Sequence, residues 1–595
     1  MRLLRELWSV LTPRQRHWAL AGQGVSLLMA CSTVIGIASI APFFAALGNP
    51  ALLSHSRWLR PLARLGFGDP HSLTVALGLG FLLLVLFANL INVVGSYVLS
   101  RLALRIGADL QANLFAEYIE RPLLFHRRTH SAILFNNVVH ETSRATNGLL
   151  QNAFGLVTHA VTAALIVASI ALLNAVAAAV LLVALAGSYA LIYLNVRTRL
   201  LRAGQRQSEC FVALTRTAHE TFGAIAEIML QRAQPYFAAN FARSSAAFAR
   251  AAAVTQLIAQ MPRHLLECVA VAGLVGIVLW ADHGSGIGAS LGQLTFLGFA
   301  VYRLLPTLQQ AFMALVRMRA DQAAFLAIAP DLRAARSRCA QPVSSPSQPW
   351  PDGPRSAIRL ERVSFRYEPD AQPVIREATL QIPPQCLTGL IGASGSGKST
   401  LMALMSGLLT PDSGLIEIDG TALDETTRAA WQAQIAYVPQ EVFLLDTTIA
   451  GNIALGVAEA QIDSRRVRSA ASIAQLEGFI ATLPEGYAHP VGERGARLSG
   501  GQRQRIGIAR ALYRRASVLI LDEATNALDG LTEQELMRTL GALRGHCTII
   551  LVAHRLGTVR ACDLIFELDA GRVGVCGSYE QLVQSDRFRG LMSMA

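Results

Sequence analysis

One lysine occurs among the 595 residues, Lys398, while the other 51 positions counted as Lys or Arg are arginine. It stands in Gly392-Ala393-Ser394-Gly395-Ser396-Gly397-Lys398-Ser399-Thr400, which has the spacing G-x-x-x-x-G-K-[ST]. Residues of these types do phosphate chemistry. The glycines let backbone N–H groups wrap an anion, and a following helix adds the positive end of its dipole. A crowded cradle suits a compact ammonium on a flexible stem better than a planar guanidinium. Lys398 is therefore expected to reach the β- and γ-phosphates, and Ser399 to place its hydroxyl on Mg²⁺. The strand-like run Leu387–Ile391 before the loop and the apolar helical pattern after it give the motif the context it requires.

A second constellation is Val518-Leu519-Ile520-Leu521-Asp522-Glu523, a buried-strand pattern ending in two carboxylates. Asp522 is expected to bind Mg²⁺, directly or through water, and Glu523 to polarise an attacking water as general base. A third is Leu498-Ser499-Gly500-Gly501-Gln502, in which two glycines precede a helix and again form an anion-binding backbone.

With the following Arg503–Arg510, this pentapeptide resembles the signature of ATP-binding cassette (ABC) ATPases, and the rest of that family's motif set stands in order. The resemblance implies that Tyr367, in Ser-Phe-Arg-Tyr, stacks on adenine. It implies that Gln440, in Tyr-Val-Pro-Gln, touches both Mg²⁺ and the attacking water. Asn526–Asp529 would form the D-loop, and His554, in Val-Ala-His-Arg, would hold the γ-phosphate. Val491-Gly-Glu-Arg-Gly495 resembles the exporter loop that senses the membrane domain, although His489-Pro490 replaces the usual Thr-Glu before it. The cofactors implied are ATP and Mg²⁺.

The elements that must position these residues divide the chain in two. Hydrophobic residues make up 52% and charged residues only 15%, low for a soluble enzyme. Residues 1–340 carry 28 Arg against 13 acidic residues, whereas residues 341–595 carry 24 basic against 27 acidic. The positive charge thus belongs to the apolar half, where basic residues flank membrane spans, and no basic–aromatic pattern points to nucleic acid. The eight cysteines form no C-x-x-C pair, which argues against a disulfide framework or a zinc site. Residues 1–19 read as an amphipathic interfacial segment and not as a cleavable signal.

Six apolar stretches, near 20–47, 73–99, 148–172, 175–196, 257–280 and 288–315, are long enough to span. The long loops at 100–147 and 197–256 hold most of the arginines and so face the cytoplasm with both termini. Arg57, Arg60 and Arg64 in the first outer loop oppose this, but the inner count is larger. The long loops keep a helical pattern, interrupted at Pro122 and Thr129–Asn137 in the first and turning near Ala218–Gln231 in the second. They read as membrane helices continuing into the cytoplasm. The Pro/Ser-rich residues 339–356 form a linker. Alternating strands and helices from 357 to 595 indicate an α/β P-loop NTPase domain, after a transmembrane domain at 20–338.

Six spans fused to one ATP-binding cassette resemble the half-transporter layout of ABC exporters. That resemblance implies a six-helix transmembrane bundle extended into the cytoplasm, of type I exporter architecture. It also implies pairing of two chains, since the family holds ATP between the P-loop of one subunit and the signature of the other. All motifs are intact, which favours a homodimer. The Arg-rich composition, the lack of targeting segments and the half-transporter form point to a cell inner membrane, spanned several times with the nucleotide-binding part cytoplasmic.

For the transported substrate, Ile35–Phe44, Met261–Glu267 and Tyr302–Pro306 resemble the flippases of lipid-linked oligosaccharides used in protein N-glycosylation. Arg263 and Arg303 lie roughly 22–26 Å from the expected outer ends of spans five and six, at ~1.5 Å per residue. Charges at such depth usually serve a pathway or a partner, and matched arginines could hold a pyrophosphate. Against this, Arg263 can pair with Glu267 at i,i+4, and either arginine can snorkel to lipid phosphates. Asn89, Asn92, His159, Gln309 and Gln310 are further polar positions in the spans, better suited to helix–helix contacts. The alternatives left open are a general exporter of lipids, drugs or small peptides, and an ATP-gated regulatory or channel protein.

Overall fold

The computed structural model describes residues 2–39, 43, 70–173, 175–282, 291–340, 358–524, 530–552 and 556–584. Outside these lie Arg57, Arg60 and Arg64, the 339–356 linker apart from its first two residues, the D-loop residues Asn526–Asp529, and His554. The chain forms two compact units: Met1–Arg121 with His126–Pro342, and Pro122–Phe125 with Val343–Ala595.

The first unit is helical. A short helix, Arg2–Val10, leads into Pro13–Ala38, which starts on a capping box: Thr12 accepts from the Gln15 backbone, Gln15 returns the bond, and Pro13 opens the first turn. Long helices follow at Pro70–Ile119, Ala175–Gly223, Gln234–Asp282 and Leu291–Ala340. Asn152–Leu173 is preceded by two π-helical stretches, Asn136–Glu141 and Ala145–Gln151. At 1.5 Å per residue, the 50 residues of Pro70–Ile119 reach ~75 Å, far beyond a ~30 Å hydrocarbon core, so this helix must leave the bilayer. Among the described residues three helical stretches are long and apolar enough to cross a membrane: Pro13–Ala38, Thr74–Ile119 and Ser131–Leu172. Leu82, Leu83, Phe87, Leu90 and Val93 lie exposed along the second of these, as a lipid-facing surface requires. A buried apolar cluster including Ile166, Ile170, Leu185, Leu200, Leu304, Phe312 and Val316 ties the later helices together.

At 122–128 the chain breaks from Pro70–Ile119 into the short helix Leu123–Arg128, as Pro122 requires. The second hairpin turns at Ala224, carries the short helix Ile225–Leu230, and restarts after Arg232, whose φ is 51°.

The second unit is α/β. Its strands are β1 (Ile358–Phe365), β2 (Ile375–Ile382), β3 (Leu387–Ile391), β4 (Ser413–Ile418), β5 (Thr421–Ala422), β6 (Ile435–Val438), β7 (Val518–Leu521), β8 (Thr548–Val552), β9 (Leu564–Asp569) and β10 (Arg572–Gly577). A six-stranded sheet has the order β10-β9-β3-β8-β7-β6, parallel except for β10, which is antiparallel at the edge. Every residue of β3, β7 and β8 is buried, as expected of parallel strands covered on both faces. A four-stranded antiparallel sheet has the order β2-β1-β4-β5.

Candidate functional site

The phosphate loop joins β3 to the helix Lys398–Met405. Three of its glycines hold positive φ: Gly392 at 149°, Gly395 at 78° and Gly397 at 103°. A Cβ on Gly392 would lie 2.1 Å from the Leu568 carbonyl oxygen, so the loop is shaped by a close backbone approach that only glycine permits. The intervening residues are Ala393, Ser394 and Ser396, of which Ser396 is buried. Lys398 is buried and donates from Nζ to the carbonyls of Gly392 and Ala393, each at 2.9 Å. Its ammonium is thereby folded back over the loop it must serve. Burial pushes Lys398 below its usual range, and the Glu523 and Asp522 charges act against that shift.

Asp522 and Glu523 leave the C-terminal end of β7, next to β6 in parallel register with Val438 opposite Leu521. That register delivers Gln440 to Glu523: Gln440 Nε2 donates to Glu523 Oε2 at 2.7 Å. Glu523 itself has φ 52°, an unusual backbone for a non-glycine residue. Asp522 is buried and accepts from Ser399 Oγ at 3.3 Å and from the Tyr437 hydroxyl at 3.1 Å. Burial raises its pKa; the bonds from Ser399 and Tyr437 pull it down, Glu523 pushes it up and Lys398 lowers it. Tyr437 escaped sequence reading. Its only signal is its place three residues before Gln440, on the strand beside β7.

The Ser399 and Asp522 oxygens, 3.3 Å apart, fit a shared magnesium. Adjacent ligands of an octahedral ion with ~2.1 Å bonds sit about 3 Å apart. Tyr367 packs edge-on against Phe365 and shares a hydrogen bond of 2.9 Å with Thr400.

Ser499 caps the helix Gly500–Tyr513 through a capping box with Gln502: Gln502 N donates to Ser499 Oγ at 3.2 Å and Ser499 N to Gln502 Oε1 at 2.8 Å. Ser499 and Gly500 are exposed at this N-terminus, with Gly501 half-buried behind them. The departure at His489-Pro490 has a structural role. Pro490 forms a bridge with Thr448, Ile449 N donates to the His489 carbonyl, and Val491 N donates to that of Thr447. This ties the loop to the segment after Gln440, and proline is tolerated in a bridge where its missing N–H is not called on.

In the helical unit, Arg263 and Glu267 form the i,i+4 pair, at 3.8 Å, with both side chains more than half exposed. Arg303 is half-buried. Asn92 donates to Thr33 of a neighbouring helix at 2.9 Å, and Asn89 to its own helix at Val85. A buried polar centre missed by sequence reading lies where the π-helical stretches meet two other helices. Arg144 donates from Nε to Asp321 at 2.8 Å, and from Nη1 to Glu141 at 3.3 Å and to Ser208 at 2.6 Å. Gly204 and Gly148 make this possible: a Cβ on Gly204 would meet the Ala320 carbonyl oxygen at 1.9 Å, and one on Gly148 would meet Asp321.

A P-loop, paired carboxylates at a strand end and a glycine-led helix cap, in a chain that also carries a bundle of membrane-length helices, define a membrane-associated P-loop ATPase. The chain matches the ABC transporter family at residues 375–526 and the ABC transporter transmembrane region at residues 28–315. It is 30% identical over 501 residues to the ATP-dependent lipid A-core flippase of Nitrosococcus oceani, covering 84% of this chain and 83% of that one. The lipid A-core flippase of Ralstonia nicotianae is 41% identical over 236 residues, and there the match spans only 40% of either chain. Among solved structures, a bacterial Atm1-family ABC exporter with ATP bound has the same fold, with a TM-score of 0.79 at 23% identity over 97% of this chain and 98% of that one. The chain belongs to the ABC transporter family. It is a membrane protein of exporter half-transporter form, with the type I exporter fold, that binds ATP and couples its hydrolysis to transport.

Proposed function

We propose that two copies of this chain form an ATP-driven flippase that moves a lipid-linked, pyrophosphate-bearing oligosaccharide from the inner leaflet outward, in a cell inner membrane. The nucleotide would lie on Gly392–Thr400 with its adenine on Tyr367, and would be closed over by Ser499, Gly500, Gly501 and Gln502 of the second copy. Ser399, Asp522 and Gln440 would hold Mg²⁺, whose charge when bound would neutralise the phosphates. Glu523 takes the proton of the attacking water, with one carboxylate oxygen held by Gln440, and His554 acts on the γ-phosphate. ATP contacts made only in the closed state drive the change of access.

The feature that carries the substrate reading is the pair Arg263 and Arg303, charges that fall within the transmembrane-region match at 28–315, where desolvation makes a charge costly unless a ligand or partner uses it. The Arg263–Glu267 pair at 3.8 Å weakens Arg263 as a free cation, so Arg303 bears more of the argument. A second reading, a lipid A-core type of glycolipid as substrate, is favoured by the name of the relatives that cover most of the chain. The two share a phosphorylated sugar head group on a lipid.

The test is ATPase activity of the full chain in nanodiscs, with polyprenyl-pyrophosphate oligosaccharide, with lipid A-core glycolipid, or with neither, beside Glu523→Gln. Stimulation by the first lipid that vanishes in E523Q supports the proposal. Stimulation by the second alone transfers the substrate to that class. Activity indifferent to both, but raised by drugs or other lipids, discards the glycolipid.

A further inference from the structure

Two polar cavities flank one arginine that neither the motifs nor the ion-pair network uses. The first, about 480 Å³, is lined by residues including Ser100, Gln151 and His159. The second, about 440 Å³, is lined by residues including Gln207, Gln256 and Gln260. Both are bounded by Asn147, Gly148, Arg317 and Asp321, so the side chains of Arg317 and Asp321 form the ridge between them. Cavities of this size match those that take small ligands or head groups.

The charges on this ridge are not equivalent. Asp321 is the one acid lining either cavity among the described residues, and its Oδ1 is held by Arg144 at 2.8 Å. Arg144 is in turn held on its far side by the buried Glu141. Arg317, one turn before Asp321 on the same helix, makes no ion pair or side-chain hydrogen bond among the described residues, and neither does Gln256 or Gln260. The second cavity therefore presents an unengaged guanidinium opposite unengaged amides, a donor-rich set suited to an oxyanion.

Its position follows from helix geometry. Arg303, Gln310 and Arg317 recur every seven residues, close to two turns, and so share one face of the helix Leu291–Ala340. Arg317 lies about 21 Å from Arg303 along the axis, at 1.5 Å per residue, toward the cytoplasmic end. On the helix Gln234–Asp282, Gln256, Gln260 and Arg263 recur at i, i+4 and i+7, and all three are exposed along that stripe. Two polar stripes thus run from the cavity toward the arginines set deeper in the spans.

We propose that Arg317, with Gln256 and Gln260, forms a receiving site for the phosphate or pyrophosphate ester of the substrate, from which the head group passes along these stripes to Arg263 and Arg303. This rests on the flippase reading above for its lipid. The shared chemistry is a phosphate oxyanion, on a lipid or free.

The experiment is equilibrium binding of farnesyl pyrophosphate, farnesol and inorganic pyrophosphate to the full chain in nanodiscs. Saturating Mg-ADP occupies the nucleotide site, and empty nanodiscs are subtracted. Wild type is expected to bind farnesyl pyrophosphate at least tenfold more tightly than farnesol or inorganic pyrophosphate. Arg317→Ala is expected to lose that tenfold preference. Arg317→Lys, which keeps the charge, is expected to retain most of it and so to separate lost binding from lost folding. Equal binding of farnesyl pyrophosphate by wild type and R317A, or none by wild type, overturns the site. Equal binding of inorganic and farnesyl pyrophosphate overturns its assignment to a lipid. If R317A shows the loss but lipid-linked oligosaccharide never stimulates the wild-type ATPase, the substrate reading falls and the site stands. If that lipid stimulates both proteins at the same half-maximal concentration, the site falls and the substrate reading stands.

Discussion

Tyr437→Phe removes one hydroxyl and leaves the ring, and so takes away the 3.1 Å bond to Asp522 Oδ2. Asp522 is only 4% exposed, and a bond to a buried carboxylate is worth about 1.5–3 kcal/mol. Tyr437 is 38% exposed, so water can partly replace the lost donor, and the lower end, about 1–1.5 kcal/mol, is the fair expectation. With Asp522 less firmly oriented toward Ser399, kcat/KM for Mg-ATP should fall about 5- to 10-fold at neutral pH, by ~1.4 kcal/mol per tenfold. The pH dependence has a definite sign. Burial already holds the Asp522 pKa above the ordinary carboxylate value, and the Tyr437 bond lowers it because it favours the ionised form. Losing that bond raises the pKa further, so the acid limb of the kcat/KM profile should move to higher pH, and the profile of the free enzyme is the one that reports it. Steady-state ATPase assays from pH 5 to 8 on the nanodisc-embedded protein suffice. A Y437F profile superimposable on wild type in both height and acid limb would refute the claim that Tyr437 positions Asp522, the carboxylate proposed to hold magnesium.

Gly392→Ala should weaken ATP binding roughly tenfold or more while leaving the fold intact, because φ 149° and a Cβ 2.1 Å from the Leu568 oxygen force the cradle open at a cost of about 1–3 kcal/mol; titration with a fluorescent ATP analogue reads this. Arg144→Met should lower thermal stability, by about 3 kcal/mol for the helical unit, since it leaves Asp321 unpaired and takes the arginine from the buried Glu141, which keeps Asn136 and His140. Arg144→Lys should recover little of it, because one ammonium cannot reach Asp321, Glu141, Ser208 and the Gly204 carbonyl together, and differential scanning fluorimetry compares the two. Cys562, buried with its thiol pushed up to about 12, should resist maleimide at pH 8 until the protein unfolds, whereas the exposed Cys576 should label in the native state, as peptide mapping by mass spectrometry will show. The stability gained by keeping Cys562 neutral is complete below the ordinary thiol range and is lost as pH rises from there toward 12.

What was legible in the chain was whatever is contiguous. The phosphate loop, the Asp522-Glu523 strand end and the Ser499–Gln502 cap are each a few residues long, and their backbone requirements are written in glycines and in apolar runs. The Gln440–Glu523 contact spans 83 residues; motif resemblance assigned both residues to the attacking water but not to each other, and the β6–β7 register supplies the physical cause of their meeting. Tyr437 could not be anticipated in this way. Which face of a four-residue strand points at a carboxylate depends on its neighbour, not on its own sequence. The Arg144 centre was hidden for a different reason. Its partner Asp321 lies 177 residues away, and the approach is set by two glycines that look ordinary in a helical run. Counted from sequence, Arg144 was one more cytoplasmic positive charge. In the fold it is a buried hub.

The uneven use of lysine and arginine then acquires a structural meaning. Arg144 works because a rigid fork can satisfy Asp321, Glu141 and Ser208 at once, in fixed directions, as three separate elements meet. At Lys398 the demand is the reverse. The Nζ lies 2.9 Å from each of two carbonyls of its own loop, so it rests on neutral acceptors, with the Asp522 and Glu523 charges acting on it, and can swing to a phosphate by rotating a flexible stem. A guanidinium there would need more room than a loop pressed against Leu568 and Ile375 offers, and its planar donors would fix one orientation where transfer of a phosphoryl group needs the charge to follow. The single lysine thus stands where a flexible stem lets the charge reorient, and Arg144 where a rigid fork ties three helical elements together.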